Sequence, residues 1–161
     1  MRTDPSGPAE QVRRVAVRLA ALAQTGLAYP GNAYDEQRYR QVRDAAASLL
    51  AVLDGPPGPP DADGWRLVLA RDDGYATPKV DVRTAVFDGD RVLLVRERVD
   101  GGWTLPGGWA DVSESPAEAA ARETGEEAGL EVTIGKLAAV WDRDRHPHQP
   151  AFPFHVYKMF F

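Results

Sequence analysis

Residues 55–60 read Gly-Pro-Pro-Gly-Pro-Pro, and no other stretch limits the fold as much. Proline fixes φ and has no N–H to donate, so neither a helix interior nor a central strand can pass through this run. It acts as a semi-rigid spacer and divides the chain into two pieces whose apolar patterns differ. Before it the pattern is helical. Val12, Val15, Leu19 and Leu22 fall at i, i+3, i+7 and i+10, on a face that largely excludes Arg13, Arg14 and Arg18. Gly26, Pro30 and Gly31 end this helix. Asp35 is the expected cap of a second helix, with Tyr39, Val42, Ala46, Leu49, Leu50 and Leu53 along its buried stripe. Residues 1–54 therefore predict a helical hairpin. Alone it is too small for a secure core, so it must pack on the rest of the chain or on a second copy.

Beyond the spacer, 55–64, the pattern becomes that of strands. WRLVLAR (65–71), KVDVRTAVF (79–87), RVLLVRER (91–98), EVTIGKLAAVWDR (131–143) and FHVYKMFF (154–161) are strand candidates, and the DGD between the second and third is a hairpin turn. With a helix between strands, residues 65–161 predict a mixed sheet carrying at least one helix, an α/β (α+β) domain. The sequence stops within an apolar strand at Met159, Phe160 and Phe161. This predicts further structure beyond it, because natural ends usually trail off polar.

Composition excludes several classes. The 161 residues carry a formal net charge of −5 and contain no cysteine. Disulfides, zinc–thiolate sites and cysteine nucleophiles are ruled out, and three histidines leave little room for a histidine-rich metal site. The acidic balance disfavours long nucleic acids and anionic membranes as partners. There is neither a signal-like apolar segment at the N-terminus nor a run of membrane-spanning length. The expectation is a cytoplasmic protein with no membrane partner.

The chemistry concentrates in one helix. Ser115-Pro116-Ala117-Glu118 has an N-cap serine, proline at the first helical position and glutamate at the third, which is a capping box. Gly129 suits the left-handed residue after the helix. The helix then runs over 116–128 and projects Glu123, Glu126 and Glu127 from one face. Three like charges repel there, and at a C-terminal end they also oppose the helix dipole. A solvated charged face is one reading. The other is a cation site, because oxygen-only carboxylate clusters suit Mg²⁺ or Mn²⁺.

The segment Gly108-x5-Glu114-x7-Arg122-Glu123-Thr124-Gly125-Glu126-Glu127-Ala128-Gly129-Leu130 resembles the Nudix box, G-x5-E-x7-R-E-U-x-E-E-x-G-U, where U is bulky and aliphatic. All seven fixed letters match. Thr124 departs from the usual aliphatic residue and predicts looser packing under the helix without loss of activity. WTLPGGW (103–109) resembles the family's approach to the box. GLAY (26–29), YDEQRY (34–39), the DR…H of 142–146 and HVYKMFF resemble a Nudix subgroup that has a helical N-terminal extension and includes a bacterial CDP-choline pyrophosphatase.

The resemblance implies a Nudix α/β/α sandwich with a mixed sheet. It implies Mg²⁺-dependent (or Mn²⁺-dependent) hydrolysis of a nucleoside diphosphate joined to a group X, with CDP-choline or ADP-ribose as the expected type. Glu123, Glu126, Glu127 and the Gly107 carbonyl would hold metal. Glu126 is the first candidate for the base, although the family also places bases outside the box, sometimes on a late loop; Glu123 and Arg122 count with it among the catalytic residues. Arg122 would orient a neighbouring glutamate by ion pairing. Glu114 and Gly108 would stand behind these groups. Arg83, Arg96, Asp142 and His146 are candidates for substrate contact, each set against a plain surface or loop role. His148 and His155 carry no signal, and Trp103, Trp109 and Tyr157 read as packing, with one of these aromatics stacking on the nucleotide base as the other reading. The partners implied are a small nucleotide and, through residues 1–54, a second copy in a homodimer. Two other readings stay open: cleavage of RNA ends or dinucleotides, and a non-catalytic module that senses nucleotide sugars.

Overall fold

The computed structural model describes residues 7–54, 60–98, 101–146 and 152–161. Most of the Gly/Pro run, and His148, lie outside these. The chain forms two compact units. The first extends from the N-terminal helices to Thr77, the second from Pro78 onward, with residues 152–154 grouping with the first.

In the first unit α1 (Pro8–Ala28) and α2 (Ala33–Asp54) form the expected hairpin. Its buried seam takes Ala46 and Leu50 from the expected stripe, with Leu19 partly buried against it, and differs at Val12, Val15, Leu22 and Leu49. The residues fully enclosed are Ala16, Ala20, Ala23, Ala46, Ala47 and Leu50, whereas Val12, Val15, Leu22, Leu49 and Val52 are exposed. Small alanines let two helices approach closely, and the larger apolar residues are left on the outside. At Gly26, which lies within α1 rather than ending it, an added Cβ would sit 2.4 Å from the Tyr39 ring. Asn32, not Asp35, caps α2; its Oδ1 accepts from the N–H groups of Tyr34 and Asp35 at 2.9 and 3.0 Å. The expected strand at 65–71 is instead helical: α3 spans Ala62–Leu69. Asp61 caps it by accepting from Gly64 N–H at 2.8 Å. Trp65 and Leu69, at i and i+4, complete the core around Leu50. Eight residues with few polar interruptions do not separate the two periods, and here the cap decides. Asp54 ties the unit together by pairing with Arg13 and accepting from Trp65 Nε1 at 3.2 Å.

The second unit contains β1 (Lys79–Arg83), β6 (Ala139–Asp142) and β7 (Val156–Phe160) in the order β1-β7-β6, with β1 parallel and β6 antiparallel to β7. Two short ribbons, β2–β3 (Phe87–Asp88, Arg91–Val92) and β4–β5 (Val95–Arg96, Trp103–Thr104), complete it. The long strands expected over 79–87, 91–98 and 131–143 are thus shorter or broken. Residues 106–110 run alongside β1: Pro106 and Gly108 carbonyls accept from Thr84 and Val82, and Ala110 N–H donates to Val80. The one long helix, α4 (Pro116–Ala128), has the expected bounds. Its capping box joins Ser115 and Glu118, and Gly129 closes it at φ 67°. Ala119 and Ala120 pack on Val82, Val80 and Met159. The α+β mixed-sheet class expected from the sequence holds.

Candidate active site

The site is built where residues 106–110 pass beneath α4. Gly107 has φ 148°, and a Cβ there would lie 1.9 Å from the Val82 carbonyl oxygen, so only glycine fits. Its N–H donates to Glu127 Oε2 at 2.9 Å. At Gly108 an added Cβ would meet the Glu123 carboxylate at 2.8 Å. The two glycines therefore let the backbone touch the acidic face of α4. Because Pro106 and Gly108 direct their carbonyls to β1, the Gly107 carbonyl falls outside that ladder.

Arg122 is the hub of the cluster. Its Nε and Nη2 donate to the two Glu114 carboxylate oxygens at 3.1 and 2.8 Å. Its Nη1 reaches Glu123 Oε1 at 3.0 Å and Glu126 Oε2 at 3.3 Å, and Nη2 also donates to the Trp109 carbonyl at 3.1 Å. One cation thus joins three of the four glutamates to the preceding loop, which answers the repulsion on this helix face. The hydrogen bond from Arg122, with one from Asp111 N–H, holds the Glu114 carboxyl below its ordinary range. Glu123 goes the other way. Burial pushes its carboxyl up, Arg122 opposes that, and the charges of Glu126 and Glu127 add to it. Thr124, fully buried, donates its hydroxyl to the Ala120 carbonyl at 2.7 Å. The departure from an aliphatic residue is thus absorbed inside the helix.

Beside this cluster opens a cleft of about 650 Å³ lined by Arg96, Glu97, Arg98, Trp103, Glu126 and Glu127. It brings the expected Arg96 to the glutamates. Trp103, 67% exposed, is on this wall, where of its two readings the placement favours a face open to a ligand over packing. Arg98 gave no signal in the sequence. Arg83 is placed differently: its guanidinium binds Asp81 through Nε and Nη2 at 2.9 and 3.0 Å, and Nη1 donates to the Leu105 carbonyl at 3.2 Å. With a side chain 12% exposed, it fastens β1 to the approach to Gly107. Asp142 and His146 are not brought to the cluster. They belong to β6 and the turn after it, while the glycines lie on the opposite side of β1, roughly 14 Å away across three strand spacings. Asp142 accepts from His155 and from Asp144 N–H, and His146 stacks on Trp141.

Residues 77–161 match the model of the NUDIX domain, and residues 10–57 match that of a UDP-X-like, N-terminal oligomerisation domain. Over 145 residues the chain is 40% identical to YjhB of Bacillus subtilis, named as a candidate ADP-ribose pyrophosphatase; the match covers 90% of this chain and 67% of that protein. A crystal structure of a UDP-X diphosphatase matches at 29% identity, covering 95% of this chain and 72% of its own, with a TM-score of 0.49. That of an ADP-ribose pyrophosphatase from Streptococcus suis matches at 38% identity over 52% of this chain and 57% of its own, with a TM-score of 0.42.

Proposed function

The chain belongs to the Nudix family of hydrolases, which act on diphosphate bonds, and from that premise we propose that it splits a nucleoside diphosphate linked to a group X into two monophosphates. Water adds to one phosphorus of the pyrophosphate, the bridging P–O bond breaks, and one phosphate leaves with the nucleoside and the other with X. The observation that carries this reading is the contact between the acidic face of α4 and the glycine turn: Gly107 N–H donates to Glu127, Gly108 lies against the Glu123 carboxylate, and Glu126 and Glu127 line the cleft. An all-oxygen donor set of carboxylates suits Mg²⁺ or Mn²⁺. Glu123, Glu126, Glu127 and the Gly107 carbonyl would hold it. When bound, such a cation neutralises pyrophosphate charge and makes a water more acidic.

The protein's own groups do the rest. Glu126 stands between Arg122 and the cleft, with its side chain 60% exposed, so it can receive a proton from water. Arg122 and Glu114 fix the direction of Glu123. Arg96 and Arg98 offer charge to the phosphates, and Trp103 offers a flat face for a base or sugar. ADP-ribose is the first substrate to try, on the name of the Bacillus relative, with CDP-choline next. The exposed Val12, Val15, Leu22, Leu49 and Val52 support pairing of the helical unit with a second copy as a homodimer.

Glu126→Gln is expected to lower kcat by about 100-fold or more, the usual share of a general base, with an unchanged circular dichroism spectrum. Turnover close to that of the unaltered chain would remove Glu126 from this role.

A further inference from the structure

Among the described residues outside the glutamate cluster, one group of side chains has the composition of a cation site. Asp142 ends β6, Asp144 sits in the turn Arg143–Arg145, and His155 directly precedes β7. One ligand atom from each lies within 4.8 Å of the other two, and all three residues are half-buried. Three elements hold them in place. Asp144 N–H donates to Asp142 Oδ1 at 3.0 Å, which fixes the turn on the strand end. The His155 carbonyl accepts from Lys79 N–H at 2.9 Å, which anchors its backbone to the sheet. The His155 ring lies edge-on to Tyr157 at 4.9 Å and points Nε2 at Asp142 Oδ1, 3.1 Å away. Across β7 and β1 the cluster is separated from the glutamates of α4.

We propose that Asp142, Asp144 and His155 form a second divalent-cation site that clamps the end of β6 to the start of β7. One imidazole nitrogen with two carboxylates is a borderline donor set, better matched to Zn²⁺, Co²⁺ or Mn²⁺ than to Mg²⁺ or Ca²⁺, which prefer oxygen alone. The site therefore differs in preference from the all-carboxylate cluster. Arg145 is one resident competitor for the Asp142 carboxylate: its Nε is 3.6 Å from Asp142 Oδ2, and its side chain is 61% exposed. Antiparallel pairing already sets Asp142 opposite Tyr157, so a cation held by Asp142, Asp144 and His155 reinforces that end of the β6–β7 pair and stabilises the folded state through binding it selectively.

The test is calorimetric titration of the full chain with Zn²⁺ in a large excess of Mg²⁺, which keeps the glutamate cluster occupied. One Zn²⁺ per chain is expected, retained in Glu126→Gln, weakened at least tenfold in His155→Gln and tightened in Arg145→Ala. In parallel, Zn²⁺ under the same excess of Mg²⁺ should shift the His155 ring resonances of the unaltered chain, a readout local to the ring that needs no variant to fold. No Zn²⁺ uptake under excess Mg²⁺, uptake that His155→Gln leaves unchanged, or His155 resonances that Zn²⁺ does not shift would each overturn the site. None of these outcomes depends on hydrolysis, so the site can fail while the proposed activity stands, and the reverse.

Discussion

At the scale of single residues, the acidic face of α4 is stable because one guanidinium is shared among carboxylates in unlike surroundings. Glu114 is hydrogen-bonded and held below its ordinary range, whereas burial raises Glu123. The signs follow from linkage. The Glu114 bond contributes stability above the unfolded carboxylate value of 4.5, and that contribution disappears as pH falls through its lower folded value. Glu123 favours the folded state when protonated, and this is lost as pH rises through its raised value. A carboxyl-carbon NMR titration without divalent ions should therefore show Glu123 protonating before Glu114 as pH falls. The opposite order would break the electrostatic picture.

The glycines beneath the helix give a second contrast. Gly107→Ala must displace the Val82 backbone and adopt an unfavourable φ, and a loss of about 3 kcal/mol or more is expected in denaturant unfolding. Gly108→Ala meets only the movable end of Glu123. It should fold and lose activity. The sequence made this cluster legible because its members lie on one helix and one adjoining loop, where spacing fixes direction. Arg83 was less legible. It reads as a free cation, and only the fold brings Asp81 and the Leu105 carbonyl to it.

At the scale of elements, α4 was read from the sequence with its bounds and both caps, because capping chemistry is local. Ser115→Ala should cost about 1 kcal/mol and lower the melting temperature without altering the cluster's hydrogen bonds; a neutral result would mean the capping box carries little. The helix α3 was missed because a short apolar run has no period to read, and Asp61 was the available clue. The strand expected over 131–143 was overextended because the β-branched Val132, Thr133 and Ile134 continue the pattern outside any strand. The juxtaposition of Asp142 with His155 depends on the register of β6 on β7, which leaves no mark in local sequence. The seam of the hairpin was misread for a related reason. Large residues were assigned inside, and Leu50 is, yet alanine dominates the closest helix contact and Val12, Val15, Leu22 and Leu49 are exposed.

At the scale of the whole molecule, that outward face becomes the argument for association. Val12, Val15, Leu22, Leu49 and Val52 are exposed together on the unit whose sequence matches an oligomerisation domain. Deleting residues 1–54 should convert a dimer into a monomer by light scattering; an unchanged dimer mass would move the interface elsewhere. Among the described residues no helix is long and apolar enough to cross a membrane, and the acidic balance that disfavours long nucleic acids remains compatible with a small nucleotide held by cations.

The central claim, cleavage between the two phosphates of a nucleoside diphosphate linked to X, is tested most directly by phosphate release. ADP-ribose, CDP-choline, NADH and nucleoside triphosphates would be incubated with the chain and Mg²⁺, with and without alkaline phosphatase. The expected result is release from ADP-ribose or CDP-choline only when phosphatase is present, because cleavage within the pyrophosphate yields monophosphates alone. Intact binding of these nucleotides with no release under either condition would contradict the claim.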